Sequence, residues 1–288
     1  MRLVDRMTIA GVGLIGGSLA AAARAAGLVG EVLGFGRTAA NLEVARDRGL
    51  IDRIVTDDAT AAGADLIVLA APVTTCATLA ARFAPHAAPG AVVTDVGSVK
   101  GTVVDALERS WRDPARVVGA HPIAGSEESG AAKARADLFR DRLCVLTPTA
   151  RTGPEALRLV RALWEGVGAR VEEMSAAAHD AILARVSHVP HVLAYALVRA
   201  VADRRADGRR LLDYAGTGFR DATRIAASPA EVWRDIALAN RGAIEEALGE
   251  LRGALDDLAR LIAAEDGPGL EQALDAARRT RRSMEGKP

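Results

Sequence analysis

With 288 residues, half of them apolar, the chain is long enough for two domains, or one large one, with a substantial core. Its 37 basic residues match its 37 acidic ones, which argues against a general electrostatic partnership with nucleic acid or an anionic membrane, so any basic site is local. The two cysteines, Cys76 and Cys144, share no CxxC spacing. Neither a disulfide framework nor a cysteine-based zinc site is expected, and a reducing cytoplasm fits.

The first apolar run, "MTIAGVGLIGGSLAAAA" from Met7 to Ala23, is uncharged and follows two arginines, as a signal segment would. Gly11, Gly13, Gly16 and Gly17 would weaken a continuous helix there, and the run falls short of the ~20 residues a membrane span needs. A strand, a glycine turn and a helix account for it better. Further short β-rich runs follow: "EVLGFG", "RIVTD", "DLIVLAAP", "AVVTDVG", "RVVGAHP", "LCVLTP" and "ARVEE". Alanine- and leucine-rich helical patterns separate them. Near-continuous apolar strands alternating with helices predict an α/β, doubly wound, mostly parallel sheet of Rossmann-like type over residues 1–173.

After Met174 the strand signal stops, and residues 174–288 read as an all-α domain. Ser175 is a candidate N-cap. Ser228-Pro229-Ala230-Glu231 reads as a second helix start, with serine at the cap, proline at the first helical position and glutamate closing a capping box.

"GVGLIGGS" supplies Gly11-x-Gly13-x-x-Gly16, with Leu14 and Ile15 inside it, directly after a strand and at the start of a helix. Glycines there allow a tight turn and close approach of the backbone to a pyrophosphate on the helix N-terminus. An NAD-preferring site would carry a carboxylate at the second strand end. Here Arg37 and Thr38 stand there, so NAD(P) is the expected cofactor, with NADP tolerated or preferred; the alternative is a solvated arginine at a helix start.

Ligands of such a sheet bind outside the carboxyl ends of its strands. Ala71, Pro72 and Val73 follow the fourth strand and complete the expected nucleotide site. Ser98 and Lys100 follow the fifth, and His121 opens "HPIAGSEESG" after the sixth. A lone loop histidine can be a turn residue, a buried donor or an acid/base. Removal of hydride from an alcohol needs a group that takes the hydroxyl proton, and imidazole has the right pKa. In the helical half, His188 and His191 bracket Pro190, which should kink the helix. They read as core or pocket histidines before metal ligands, and no metal is expected. Arg224 reads either as a surface ion pair with Asp221 or as a carboxylate receptor, and Trp233 as core or pocket wall.

In this order and at these separations, "GVGLIGGS", "DVGSVKG", "HPIAGSEESG", "SHVPHVLAYAL" and "GFRDATRIAASPAEVWRDI" resemble the prephenate/arogenate (cyclohexadienyl) dehydrogenases of tyrosine biosynthesis, from about residue 7 to 240. The resemblance implies hydride transfer from the ring C4 hydroxyl carbon of prephenate to NAD(P)+ and loss of the ring carboxylate as CO2, giving 4-hydroxyphenylpyruvate. His121 then matches the histidine that hydrogen-bonds the C4 hydroxyl, and Ser98 the serine beside it. Ser126 and Glu127 match a polar pair lining the pocket. His191 falls near the substrate side chain, Arg224 on a substrate carboxylate, Trp233 on the pocket wall, and His188 in a more structural role. The resemblance also implies a dinucleotide-binding domain over 1–173 and a helical substrate-binding domain over 174–288 that pairs into a homodimer, with no room for a fused mutase or regulatory domain. Two other readings stay open. One is an NADP-dependent hydroxyacid dehydrogenase of the same plan, although the helix after Ser175 lacks the lysine that such enzymes use. The other is a non-catalytic dinucleotide-sensing module.

Overall fold

The computed structural model describes residues 1–125 and 128–284. Its first part alternates strands and helices: β1 (Val4–Ala10), α1 (Leu14–Ala25), β2 (Val29–Phe35), α2 (Ala39–Asp47), β3 (Arg53–Val55), α3 (Asp58–Ala62), β4 (Leu66–Leu69), α4 (Val73–Phe83), β5 (Val92–Asp95), α5 (Gly101–Ser110) and β6 (Val117–Pro122). β7 (Leu143–Thr147), α6 (Pro154–Gly166) and β8 (Arg170–Glu173) complete it. All eight strand candidates appear, in one sheet of order β3-β2-β1-β4-β5-β6-β7-β8. Pairing is parallel except between β6 and β7, where His121 lies opposite Val145.

The sequence period explains how the sheet is covered. Met7, Ile9, Leu66 and Val68 point to one core with Leu19, Phe139 and Trp164. Ala10, Ile67 and Leu69 point to the other with Leu79, Phe83 and Leu107. Alternate residues of one strand thus feed opposite faces, so β4 and β5 are buried along their whole length; β4 reads as an apolar run, while β5 ends in the buried polar pair Thr94 and Asp95. The chain moves outward from β1 to β3 and returns to β4 on the other side of β1. That reversal opens a crevice between the loops after β1 and β4.

The remainder is mostly helical: α7 (Ala176–Leu183), α8 (Val189–Val201), α9 (Thr217–Thr223), α10 (Ala230–Ala239), α11 (Arg241–Ala263) and α12 (Gly267–Arg282). Ser175 caps α7, its hydroxyl accepting the Ala178 N–H at 3.1 Å. A π-helical turn, Ala184–His188, joins α7 to α8 directly before Pro190. The expected kink therefore takes the form of a widened turn, which accommodates the ring that would otherwise crowd the preceding carbonyl. The resulting helix, Ala176–Val201, is long and apolar enough to cross a membrane by length and composition. It packs against α5, β7 and α11.

Two sequence expectations are corrected. A two-stranded ribbon, β9 (Arg205–Ala206) with β10 (Arg209–Arg210), interrupts the helical part. Asp207 and Gly208 turn it with φ of 49° and 73°, the positive values a two-residue hairpin turn requires. Ser228 does not cap α10: Pro229 occupies the cap position with no side-chain bond, and the Ser228 carbonyl instead accepts the Tyr195 hydroxyl at 2.7 Å.

Candidate active site

The glycine turn after β1 is built by exclusion. Gly11 has φ of 107°, and a Cβ there would overlap the Ala70 carbonyl; one on Gly16 would overlap the carbonyl of Gly11. Gly13 differs, since a Cβ on it would meet nothing within 4 Å. It occupies the N-cap position of α1, and no side chain there caps the first N–H groups of the helix, those of Leu14 and Ile15 among them. An anionic pyrophosphate fits this uncapped, unobstructed helix end. Asn41 braces the turn by donating to the Val12 carbonyl at 2.7 Å while accepting the Ala131 N–H at 2.9 Å. Across the crevice Ala71 and Pro72 lead into Val73 at the start of α4. Gly36, Arg37 and Thr38 are exposed at the end of β2, and Thr38 makes no capping bond to α2, so the guanidinium and hydroxyl both border solvent. These residues fit a dinucleotide.

β5 and β6 deliver the chemical groups. Ser98 lies part-exposed in the loop after β5, and part-buried His121 is the next-to-last residue of β6. Gly125, in the loop that His121 opens, lies against Ile15 of α1: a Cβ on it would sit 3.8 Å from the Ile15 Cδ1. Ser126 and Glu127 fall outside the described residues. Lys100 does not reach the cleft as the sequence suggested. It is fully buried, its ammonium held between the Asp95 carboxylate and the Ala120 carbonyl, the latter at 2.7 Å. Asp95 also accepts the N–H groups of Gly97 at 2.8 Å and Ala120 at 3.2 Å. A lysine can be this deeply buried because it is paired, and the pair ties the ends of β5 and β6 together under His121.

His121 Nδ1 lies 2.8 Å from His179 Nε2, and His179 Nδ1 lies 2.8 Å from Asp180 Oδ1. Asp180 in turn accepts the N–H of Lys100 on Oδ1 and of Gly101 on Oδ2, each at 2.8 Å. α7 is thus bonded to the start of α5 and to the end of β6 at once. Burial pushes the His121 pKa well below the ordinary 6.5, and the charges of Lys100, His179 and His188 act the same way. His121 is therefore neutral near pH 7.

The helical part supplies the facing wall. His191 and Trp233 stack with ring centres 3.5 Å apart at 18°. His188 meets the same indole edge-on at 6.2 Å. Asp235 receives the Thr74 hydroxyl at 2.8 Å, which fastens α10, and with it Trp233, to the start of α4. Arg224, exposed at the end of α9, lies near enough to His191 for its charge to lower that pKa, burial being the larger cause. His188 is buried. Asn240 donates to its Nδ1 at 3.1 Å and to the Asp180 carbonyl at 2.9 Å, and the Ser98 backbone lies close enough to the ring to favour its charged form. Among the described residues no group of three or more His, Cys, Asp or Glu side chains is arranged to hold a metal ion.

The model of the prephenate dehydrogenase nucleotide-binding domain matches residues 19–173, and that of the prephenate dehydrogenase dimerization domain matches residues 175–276. The chain belongs to the prephenate dehydrogenase family. It is accordingly an NAD(P)-dependent oxidoreductase of the prephenate and arogenate dehydrogenase class. A cyclohexadienyl dehydrogenase of Zymomonas mobilis is 35% identical over 287 residues, covering 99% of this chain and 97% of the relative. Prephenate dehydrogenase from A. aeolicus, solved with hydroxyphenyl propionate and NAD+, superposes with a TM-score of 0.93 at 36% identity, covering 98% of each chain. Arogenate dehydrogenase from Synechocystis superposes with a TM-score of 0.83 at 31% identity, covering 96% of this chain and 99% of the other.

Sequence reasoning missed four residues that the structure places around this candidate site: His179, Asp180, Asn240 and Asn41. Each acts across a long separation, and the only local signal was the His-Asp pair in the first turns of the helix that opens the helical part.

Proposed function

We propose that this family member oxidises the ring C4 hydroxyl of prephenate, arogenate or both, with His121 as the base that takes the hydroxyl proton. The single observation that carries the reading is the His121 imidazole at the carboxyl end of β6, bonded to His179 of the helical part at 2.8 Å, with Gly125 of the loop it opens facing Ile15 of the glycine turn. When bound, NAD(P)+ accepts the hydride from C4; loss of the ring carboxylate as CO2 then gives 4-hydroxyphenylpyruvate from prephenate or tyrosine from arogenate. His121 holds the hydroxyl and receives its proton as the C–H bond breaks. Ser98 orients the same oxygen. Arg224 receives a substrate carboxylate, and the His191–Trp233 stack fixes the position of the substrate side chain, with Ser126 and Glu127 contributing polar contacts.

Residues 1–173 serve as the dinucleotide-binding unit and 174–288 as the substrate-binding unit. Homodimer formation through the helical part is supported by the dimerization-domain match and by exposed Ile182, Val186 and Leu197 along the Ala176–Val201 helix. Arg37 and Thr38 provide a cation and a hydroxyl for a 2′-phosphate, so NADP is accepted alongside NAD. Two buried free thiols, that of Cys76 pushed up to about 12 by burial, suit a reducing cytoplasm.

Initial rates for the four pairings of prephenate or arogenate with NAD+ or NADP+ test the proposal. Turnover of at least one pairing, with CO2 released in step with NAD(P)H, supports it. Nucleotide binding without turnover of any pairing would favour the dinucleotide-sensing reading.

A further inference from the structure

We infer that His179 and Asp180 are positioning residues that fix the tautomer of His121, placing its lone pair on Nε2 and giving its ring proton a buried path inward. This rests on the reading of His121 as the base. For a neutral His179 the geometry leaves one consistent assignment of donors. Asp180 accepts two backbone N–H groups and faces His179 Nδ1. Burial would raise its pKa, but the bonds from His179, Lys100 and Gly101 outweigh burial and hold it below the ordinary carboxylate value. An ionised carboxylate only accepts, so His179 donates from Nδ1. A neutral His179 then carries its lone pair on Nε2, at 2.8 Å from His121 Nδ1, so the bond between the rings is donated by His121. His121 is left with a bare Nε2, the form a base requires.

The same chain gives the proton a destination. As Nε2 of His121 gains the substrate proton, the bond from Nδ1 to its hydrogen can break and the hydrogen pass to His179 Nε2. His121 is then neutral again, and the positive charge lies on His179, whose Nδ1–H is bonded to the Asp180 carboxylate. His179 is fully buried, so the charge cannot be met by water there. The charged and titratable groups facing His121 are Lys100 from the β5–α5 loop, His179 from α7 and His188 from the π-helical turn; all three oppose a lasting positive charge on its ring. Asp180 is the anion at the inner end of the chain, while Asp95 is already occupied by Lys100.

The first test is the wild-type enzyme with 15N-labelled histidine, the His121 signals being identified by their loss in His121→Asn. The shifts near neutral pH should show Nδ1 protonated and Nε2 bare; a proton on Nε2 would overturn the inference. Two variants give the second test. His179→Phe, which fills the volume without an acceptor, should lower kcat at least tenfold with the nucleotide Kd unchanged. His179→Gln, whose amide oxygen can accept from His121 while its nitrogen donates to Asp180, should restore most of kcat. A folded His179→Phe enzyme with wild-type kcat would sink the positioning role. If His121→Asn is itself fully active, the base assignment fails instead, whatever the tautomer. The spectrum of the wild-type protein decides the tautomer even if neither His179 variant folds.

Discussion

The buried histidine His188 gives a quantitative link between the site and stability. Its ring is 1% exposed, accepts from Asn240 at Nδ1, and is pressed down to about 4 from 6.5, chiefly by burial and also by His179 and His191, against the opposing pull of Asp180. In the unfolded chain it should titrate near the ordinary value. The unfolded state therefore binds more protons than the folded state between about pH 6.5 and 4, so this group's contribution is fully present above 6.5 and is lost as pH falls through that window. At about 1.4 kcal/mol for each tenfold change in proton affinity, the loss amounts to roughly 3 kcal/mol, a sizeable part of a domain stability of ~5–15 kcal/mol. Replacing His188 by Asn keeps an oxygen acceptor for Asn240 and removes the titration. Urea unfolding of both proteins at several pH values between 7 and 4 should show the wild type losing about 3 kcal/mol more than His188→Asn. Contributions from groups that do not interact with His188 are common to both and cancel in the difference. Parallel stability curves would refute the reasoning.

Other perturbations separate the remaining parts of the site. Arg224→Ala removes a charge-assisted carboxylate contact worth about 1.5–3 kcal/mol, so the KM for prephenate should rise at least tenfold with the nucleotide KM unchanged; an unaltered KM would return Arg224 to a surface role. Arg37→Asp places like charge against a 2′-phosphate and offers an acceptor to ribose hydroxyls, so the ratio of kcat/KM for NADP over NAD should fall about tenfold or more. A wild-type enzyme inert with NADP would contradict this. Gly11→Ala would force a Cβ into the Ala70 carbonyl at a positive φ, so nucleotide affinity measured by fluorescence titration should drop far more than in Gly13→Ala, where the space is open. Equal affinities of the two variants would show that the turn is not held as described.

The sheet was legible because parallel strands buried on both faces are mostly apolar: β4 is four consecutive buried apolar residues, and β5 is equally buried, opening on Val92 and Val93 before the polar Thr94 and Asp95. The glycine turn was legible for a similar reason: Gly11 and Gly16 stand where no side chain fits. Groups whose role depends on a distant partner were not. His121 and His179 are 58 residues apart, and nothing local to the His-Asp pair distinguishes a buried orienting histidine from an exposed one. Lys100 was misplaced into the cleft because a lysine after a strand usually reaches solvent. Its partner Asp95, on a wholly buried strand five residues earlier, was the clue that it would be paired inside. The Asp207-Gly208 dipeptide carried the hairpin signal, but its strands are only two residues long, too short to interrupt a helical reading. At Ser228 the local capping pattern lost to tertiary structure, with Tyr195 taking the carbonyl and α10 beginning uncapped.

The central claim, that His121 takes the hydroxyl proton during oxidation, is tested most directly by His121→Asn, which keeps a neutral hydrogen-bonding side chain and removes the base. Single-turnover rates with prephenate should fall about 10²–10⁴-fold while the dissociation constant for NAD(P) stays unchanged. In the wild type the same rate should hold level through the ordinary histidine range and decline only at lower pH, because burial and Lys100 keep the His121 ring neutral to well below 6.5. An Asn variant that turns over prephenate at nearly the wild-type rate, with chemistry rate-limiting, would contradict the account.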